Sequence, residues 1–376
     1  MAVAGMFSSA AGQDLDAELQ VTPTTLEPIC LADYEPLAKV KMSVAAWEYV
    51  NAAAADETTD RWNKEAYQKI RLKPRVLMDA AGLDTRTTLF GDEHAFPILL
   101  APTSSQTLTH PEGELATARG AGVAGAAMVL SSFSSFSLED VAAVAKTPLW
   151  FQLYAQTDHG FTGDLVRRAE ASGYRAICLT VDTPITGARN RETRANVTLP
   201  PLPNMKDFKA GGTGLRTGSL DIFTSALDAS LTWKDVEWLC SFAKVPVLVK
   251  GVLNPDDADH AIKAGVAGIM VSNHGGRNLD TVPATIDALP QVTDRVAGRV
   301  PLLVDGGIRR GTDVLKAIAL GASAVLIGRP YLYGLGAAGE AGVANVLRIL
   351  QREFSMAMVL SGRMTVGSID RSVIWA

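Results

Sequence analysis

Short apolar runs recur along the chain, and each is followed by a segment with a different spacing of apolar residues. The runs are Pro97–Pro102, Ala127–Ser132, Leu149–Tyr154, Ala176–Asp182, Val245–Gly251, Ala267–Asn273, Val300–Gly307 and Ala324–Arg329. Runs that are apolar nearly throughout are typical of parallel strands covered on both faces. The pattern therefore predicts a parallel sheet that is buried on both sides.

The segments between the runs place apolar residues three and four positions apart, as amphipathic helices do. Clear examples are Asp164–Ser172, Asp256–Ala264 and Gly311–Leu320. Repeated strand-then-helix units in an α/β chain predict a (β/α)8 TIM barrel. A doubly wound open sheet is the alternative, because periodicity alone does not show that a sheet closes.

Segments outside these units complete the expected architecture. Leu31–Asn51 is predicted to form two helices, an N-terminal helical cap, and Arg71–Met78 to form a connecting strand. Gly339–Ser361 is predicted as one long helix, because it carries an apolar stripe. We expect residues 1–29 to be a tail and residues 30–376 to form a single domain.

A long loop follows the fourth strand. About fifty residues separate that strand from a helix that begins near Trp233, and loops of this length are usually functional or disordered. The loop contains the polar, proline-containing Asn190–Pro203 and the glycine-rich Lys209–Gly218. We expect a mobile lid over the active-site end of the barrel, and the alternative is a solvated insertion without a role.

Polar, charged or glycine residues end most of the predicted strands. In a TIM barrel the C-terminal strand ends share one rim, which holds the active site. The residues at these ends are Thr103, Ser131, Gln152, Tyr154, Thr180, Asp182, Lys250, Ser272, His274, Asp305, Gly306, Gly307, Gly328 and Arg329. Their varied chemistry favours a barrel with a catalytic rim.

Composition narrows the possible functions. The 376 residues carry a net charge of −5, and this mild acidity disfavours a nucleic-acid partner. The sequence has no run of the ~18 apolar residues that a bilayer span requires. Its cysteines, Cys30, Cys178 and Cys240, are too scattered for a disulfide framework or a zinc cluster, and no H-E-x-x-H occurs. We therefore predict no metal site.

The N-terminus bears on location. Residues 1–11 are small and apolar, but no lysine or arginine precedes them, as a secretory signal requires. We expect a cytoplasmic protein. The alternative is an exported or membrane-associated protein, if these residues are the remainder of a truncated signal.

Two glycine-containing motifs predict a phosphate site. DGGIR at 305–309 follows the seventh strand, and GRP at 328–330 follows the eighth. Backbone N–H groups of such turns bind anions, and barrels often hold phosphate after these two strands. Arg309 and Arg329 add charged donors. The alternative is two tight turns with surface arginines.

A third motif, SNHGGR at 272–277, predicts a general base. His274 lies beside two glycines, where a substrate can approach closely, and Arg277 can bind a carboxylate bidentately. A general base needs an orienting partner, and Asp182 is the candidate. Lys250 ends an apolar strand, so we expect it to be partly desolvated beside an anion.

Several motifs belong together: VKG at 249–251, SNHGGR at 272–277, DGGIRRGTDV at 305–314 and IGRP at 327–330. They resemble one family, the FMN-dependent L-2-hydroxy-acid oxidases and dehydrogenases, which includes glycolate oxidase, lactate oxidase, lactate monooxygenase and flavocytochrome b2. APTSSQTLTHPEGE at 101–114, WFQLY at 150–154 and LTVDTP at 179–184 are similar to the same family. The resemblance extends from about Leu31 to Ile374.

The resemblance implies an FMN enzyme that oxidises a small L-2-hydroxy acid, such as lactate or glycolate, to the 2-keto acid. It implies that His274 takes a proton from the substrate while Asp182 holds the imidazole ring. The other substrate-binding residues that it implies are Arg189, Arg277 and Tyr49 for the carboxylate and Tyr154 for a hydrogen bond.

The resemblance also implies how the cofactor is held. Lys250 would lie at the N1/C2 carbonyl edge of the flavin. The flavin ring and ribityl chain would contact Thr103, Ser104, Ser131, Gln152, Thr180 and Ser272. The ribityl–phosphate end would contact Asp305, Gly306, Gly307, Arg309, Gly328 and Arg329.

Two departures from the family pattern concern the acceptor and the substrate. Ser104 stands where relatives usually carry Ala or Gly, and Phe133 where they often carry Trp. We expect O2 as the acceptor, giving H2O2. The alternatives are a dehydrogenase that reduces a quinone or another carrier, a lactate monooxygenase, or a flavin protein without hydroxy-acid oxidation. The family also implies a homo-oligomer, a tetramer.

Overall fold

The predicted apolar runs form strands of a closed parallel barrel. The computed structural model describes residues 27–205 and 227–375. The strands in these ranges are β1 (Thr87–Leu89), β2 (Asp92–His94), β3 (Ile98–Leu100), β4 (Met128–Ser131), β5 (Leu149–Leu153), β6 (Ile177–Thr180), β7 (Val247–Val252), β8 (Gly268–Val271), β9 (Leu302–Val304) and β10 (Ala324–Ile327). The barrel order is β10-β3-β4-β5-β6-β7-β8-β9, which confirms the TIM barrel and excludes the open sheet.

Helices surround the barrel and precede it. They are α1 (Tyr34–Lys41), α2 (Val44–Asn51), α3 (Thr58–Lys69), α4 (Gly113–Ala124), α5 (Leu138–Val144), α6 (His159–Ala171), α7 (Asn190–Arg194), α8 (Trp233–Phe242), α9 (Pro255–Lys263), α10 (Thr285–Val296), α11 (Gly311–Ala319) and α12 (Arg329–Leu360). The two predicted cap helices correspond to α1 and α2. None of the helices in the described ranges combines the length and apolar character of a bilayer span.

Strand side chains alternate between two buried clusters, as the period of two in a strand dictates. One set, including Val129, Cys178 and Met270, packs together as a separate cluster in the barrel. The neighbouring positions, such as Leu130 and Leu179, pack in the larger cluster with the helices. Both sets are fully buried, which explains why the strands are apolar nearly throughout.

A hairpin that the sequence pattern did not predict covers the N-terminal end of the barrel. Strands β1 and β2 pair antiparallel, and Phe90 lies at the turn between them. The Phe90 ring contacts Trp150 edge-on, with ring centroids 5.4 Å apart. Each strand has only three residues, too few to show an alternating pattern.

Two predicted elements differ from the structure. Arg71–Met78 is not a strand, and it pairs only through an isolated bridge from Leu72 to Ile374. Pro74 interrupts the segment, because proline has no N–H for a ladder. The predicted long helix at 339–361 begins earlier, at Arg329, and α12 bends at Gly339, where φ is 57°.

The described part of the predicted lid is partly helical. Residues 190–194 form α7, and its Arg191 forms ion pairs with Glu48 of α2 and with Glu57. The glycine-rich part of the lid, residues 209–218, lies outside the described residues, as do residues 1–26 of the predicted tail. Helix α7 therefore joins the rim of the barrel to the N-terminal cap.

Candidate active site

A cavity opens at the C-terminal ends of the barrel strands. It encloses about 990 Å³ of space, part of which is open to solvent. Its wall includes most of the predicted site residues: Tyr49, Thr103, Ser104, Ser131, Gln152, Tyr154, Thr180, Lys250, His274, Arg277, Asp305, Gly306, Gly307, Arg309, Gly328 and Arg329. The structure therefore brings these predicted residues together around one cavity.

Three predicted site residues lie behind this wall. Asp182 and Arg189 contact wall residues, as described below. Ser272 is fully buried, and its Oγ donates to Asp305 Oδ2 and accepts from the backbone N–H of His274. Ser272 therefore orients two wall residues within the protein.

His274 and Asp182 form a hydrogen-bonded pair. Asp182 Oδ1 lies 2.9 Å from His274 Nδ1, and His274 Nε2 lies 3.3 Å from the Tyr154 hydroxyl. His274 has a left-handed backbone, with φ at 58°, a conformation that costs energy for a residue with a Cβ. The pair leaves Nε2 as the ring nitrogen beside the cavity wall residue Tyr154.

Gly251 makes room for the carboxylate of this pair. Its φ is +112°, and a Cβ at this position would lie 2.4 Å from Asp182 Cβ. The register of β7 against β8 also shifts between Lys250 and Val252. Only glycine satisfies both the backbone conformation and the close approach.

Burial, together with the positive charge of Lys250, keeps the imidazole neutral in the resting enzyme. Burial, assisted by the positive charge of Lys250, lowers the pKa of His274 to about 4, although Asp182 opposes the shift. Burial opposes ionisation of Asp182, but the neighbouring His274 and Lys250 outweigh it and bring its pKa to about 2. Burial raises the pKa of Tyr154 to about 12. A neutral imidazole beside a protonated phenol is suited to accepting a proton.

Two arginines and a tyrosine form a cationic corner, defined by Arg189, Arg277 and Tyr49. The Arg277 guanidinium donates to the carbonyls of Tyr49 and Ala52 at 2.9 and 2.6 Å. It also lies over the Tyr49 ring, 5.5 Å from the centroid. Arg189 Nε donates to the Arg277 carbonyl at 3.3 Å. A planar guanidinium fixed in this way is well suited to a carboxylate.

The two residues that depart from the family pattern both contact this region. Ser104 Oγ lies 2.5 Å from the Tyr49 hydroxyl, so it shares a hydrogen bond with a residue of the cationic corner. The Phe133 ring packs against Tyr154, with centroids 4.7 Å apart. Both side chains are therefore placed to influence what binds beside Tyr49 and Tyr154.

Lys250 supplies a buried positive charge to the cavity. It is 4% exposed, and its Nζ lies 3.8 Å from Asp305 Oδ2. Burial disfavours the ammonium, but Asp182 and Asp305 outweigh it and raise the pKa. The other oxygen of Asp305 is buried and has no hydrogen-bond partner among the described residues. Both residues line the cavity, and the aspartate retains bonding capacity.

A row of hydrogen bonds crosses the wall from β4 to β6. Ser131 Oγ donates to Gln152 Oε1 at 2.9 Å, and Gln152 Nε2 donates to Thr180 Oγ1 at 2.8 Å. All three side chains are at least nine-tenths buried and line the cavity. The donors and acceptors of these three side chains are suited to a ligand whose ring carries several polar atoms.

The end of the cavity near β9 and β10 has features that could hold an anion. Gly306 and Gly307 both have left-handed φ values, +88° and +82°. Successive residues in turn conformations can direct their backbone N–H groups into a concave, anion-binding site. Arg309 lines the cavity and forms no ion pair with a carboxylate of the described residues. Arg329, in contrast, is paired with Asp60 at 2.7 Å.

These features fit FMN. The anion site with Arg309 suits its phosphate, and the row at Gln152 suits the polar edge of its ring. Lys250, with its buried positive charge, suits a ring that gains negative charge on reduction.

Sequence reasoning missed two residues that support the site. Asn63 of α3 exchanges hydrogen bonds with Asn273 at 3.0 and 2.8 Å, and its carbonyl lies against Gly307. No local pattern marks this contact, because the partners are 210 positions apart. Glu192 contacts both arginines of the cationic corner. Its position three residues after Arg189 is the only signal in the sequence.

Comparisons with known proteins agree on one family. The family model for FMN-dependent dehydrogenases matches residues 38–376. A peroxisomal (S)-2-hydroxy-acid oxidase of Oryza sativa subsp. japonica is 47% identical over 348 residues, which cover 92% of this chain and 95% of that protein. An L-lactate oxidase of a Nostoc species is 45% identical over 357 residues, covering 92% and 98%.

Solved structures show the same relationship. A crystal structure of mandelate oxidase with (S)-2-phenylpropionate superimposes with a TM-score of 0.83 at 40% identity. The match covers 92% of this chain and 98% of the mandelate oxidase chain. The chain therefore belongs to the FMN-dependent dehydrogenase family, and FMN is its cofactor.

Proposed function

We propose that the protein is an FMN-dependent (S)-2-hydroxy-acid oxidase. It converts a small L-2-hydroxy acid of the lactate or glycolate type to the 2-keto acid, and O2 is reduced to H2O2. The observation that carries this proposal is the His274–Asp182 pair, which lies beside a cationic corner in a cavity that fits FMN. The oxidases among the relatives support the same reaction.

The cationic corner binds the substrate carboxylate. Arg277 is fixed by two backbone carbonyls and by Glu192, so the donors that these contacts leave free are held in one orientation. Arg189 adds a second positive charge, and the Tyr49 hydroxyl adds a hydrogen bond. Holding the carboxylate in this way fixes the α-carbon of the substrate near His274. Such orientation lowers the activation free energy of a reaction by roughly several kcal/mol.

His274 acts as the general base. At neutral pH its imidazole is unprotonated, so Nε2 can accept the proton that the substrate loses. The ionised Asp182 at Nδ1 then stabilises the imidazolium cation. Tyr154 stays protonated and donates a hydrogen bond to a substrate oxygen.

The remaining wall residues hold the cofactor. We propose that Arg309, Gly306, Gly307, Gly328 and Arg329 bind the phosphate end. Ser131, Gln152, Thr180 and Thr103 bind the ring and the ribityl chain, with Ser104 at the ring face. When bound, FMN supplies the two-electron acceptor. Lys250 contributes a fixed positive charge that favours negative charge on the ring.

Product analysis tests this function. Purified, FMN-loaded protein is supplied with L-lactate, D-lactate, glycolate and (S)-mandelate in air, and 2-keto acid, O2 uptake and H2O2 are measured. We expect turnover of at least one L- or achiral acid, none of D-lactate, and one H2O2 for each 2-keto acid. Absence of keto acid with all substrates would overturn the proposal. Slow reoxidation by O2 with fast reoxidation by a quinone would assign a dehydrogenase instead.

We also propose a homotetramer in the cytoplasm. Val40 and Val44, which lie in α1 and α2, are 87% and 76% exposed, and a subunit contact would cover them. Light scattering of the full chain is expected to give four chain masses, and a single chain mass would contradict the tetramer. Fractionation of the source cells tests the location.

A further inference from the structure

We propose that Glu192 is the positioning residue of the cationic corner. Its single buried carboxylate holds both guanidinium groups in place and leaves the corner with one net positive charge, which matches one substrate carboxylate. The inference rests on the proposed function, because it takes Arg189 and Arg277 as the groups that bind the substrate.

The geometry links Glu192 to both cations through one atom. Glu192 Oε2 lies 3.2 Å from Arg277 Nη2 and 3.4 Å from Arg189 Nη1. The side chain is 1% exposed, so solvent does not screen these contacts. Its Oε1 is buried as well, without a hydrogen-bond partner among the described residues. Among the described residues, the two arginines are the partners that hold this carboxylate in the interior.

The two guanidinium groups need a counter-charge. Burial and then the charge of Arg189 lower the pKa of Arg277 to about 10, and Glu192 acts in the opposite direction. Like charges this close repel strongly in a buried site. Without Glu192, the two arginine side chains would move apart and would no longer both bind the substrate carboxylate.

Two other arginines close to the corner are already paired with carboxylates. Arg191, on the same helix α7, is held by Glu48 at 2.5 Å and by Glu57 at 3.2 Å. Arg329 is held by Asp60 at 2.7 Å. The corner itself therefore contains two positive charges and one negative charge, which leaves one positive charge for the substrate.

Glu192 acts through the arginines, because its side chain is 1% exposed and its hydrogen-bond partners among the described residues are the two guanidinium groups. Its helix begins directly after Arg189, so the same turn positions the arginine and its counter-charge. A positioning role predicts an effect on which anions bind, and a purely structural role predicts only lower stability.

The test compares anion binding by oxidised holoenzyme, followed through the flavin spectrum. The probes are propionate, with one carboxylate, and malonate, with two. In Glu192→Gln we expect the preference to shift toward malonate by at least about 10-fold, because the corner gains a positive charge. We also expect kcat/KM for the best 2-hydroxy acid to fall by about 10-fold or more, because the arginines lose their alignment. Glu192→Asp keeps the charge and is expected to retain the wild-type preference within about 3-fold.

Two further variants keep the test decisive. Glu48→Gln removes a carboxylate that binds the same helix outside the corner, and we expect it to leave the anion preference unchanged. If Glu192→Gln does not retain FMN, the double variant Arg189→Gln/Glu192→Gln restores one net charge. We expect this variant to return to the wild-type preference while its kcat/KM stays low.

The outcomes separate this inference from the proposed function. An unchanged anion preference and unchanged kcat/KM in Glu192→Gln would overturn the role of Glu192, and so would a double variant that prefers malonate. The two probes do not react, so their binding can be measured whether or not the enzyme oxidises hydroxy acids. Failure of the proposed function would instead appear as a wild-type holoenzyme that no 2-hydroxy acid reduces.

Discussion

At the scale of single residues, the environment of His274 decides its chemistry. The same side chain on a surface would be half protonated near pH 6.5. Here burial and Lys250 depress its pKa, while Asp182 holds one ring nitrogen and directs the other toward Tyr154. Burial and the nearby charge of Lys250 thus make His274 an unprotonated base throughout the physiological range.

The pH dependence of kcat/KM tests this arrangement. Because protonation removes the base, activity is lost as pH falls through the pKa of the free enzyme. With that pKa at about 4, kcat/KM is expected to stay level from pH 8 to about 5.5 and to fall tenfold for each pH unit below about 4. FMN content is measured at each pH as a control. An acid limb centred near pH 6.5 would contradict the account.

At the scale of elements, the strand ends could be predicted and their supports could not. The pattern of apolar runs identified the strands, and the polar residues that end them did form one rim. The supports come from distant segments, such as α3 against Gly307. Contacts between segments 210 positions apart leave no trace in local periodicity. The spacing of Glu192 from Arg189 is visible in the sequence. Its burial depends on how α7 packs, which the sequence pattern does not show.

The turn at Gly307 gives an element-level prediction. A Cβ there would lie 1.9 Å from the carbonyl oxygen of Asn63, in addition to the cost of a φ of +82°. Gly307→Ala is expected to weaken FMN binding by at least about 10-fold and to lower Tm, because α3 or the turn must move. Fluorescence titration measures the FMN affinity, and thermal unfolding measures Tm.

Gly298→Ala is the matched control for this variant. Its φ is +75°, but nothing lies within 4 Å of the added Cβ. It carries only the backbone cost, roughly 1 kcal/mol, and is expected to keep wild-type FMN affinity. Equal FMN affinity in the two variants would show that contact with α3 does not shape the phosphate site.

At the scale of the whole molecule, residues of the cap, the strand ends and α12 line the cavity in which we propose that FMN binds. Tyr49 comes from α2, Gln152 from β5, and Arg329 from the start of α12. A cofactor that touches all of these binds only the folded protein. Its binding free energy therefore adds to the stability of the entire barrel.

Thermal unfolding of FMN-free protein tests this coupling. At an FMN concentration 100-fold above Kd, the free energy of unfolding rises by about 2.7 kcal/mol, which corresponds to a Tm increase of roughly 3–4 °C for a chain of this size. Riboflavin, which lacks the phosphate, is expected to give a much smaller shift at the same concentration. An equal shift would mean that the anion site around Arg309 does not hold the phosphate.

The most direct test of the central claim is anaerobic reduction of the bound flavin in wild-type protein and in His274→Ala. We expect the wild type to lose its oxidised flavin absorbance when mixed with its L-2-hydroxy acid and to regain it when air is admitted. His274→Ala is expected to retain FMN and to react at least about 100-fold more slowly, because only the base is missing. A wild type that no L-2-hydroxy acid bleaches, or a variant that bleaches at the wild-type rate, would contradict the account.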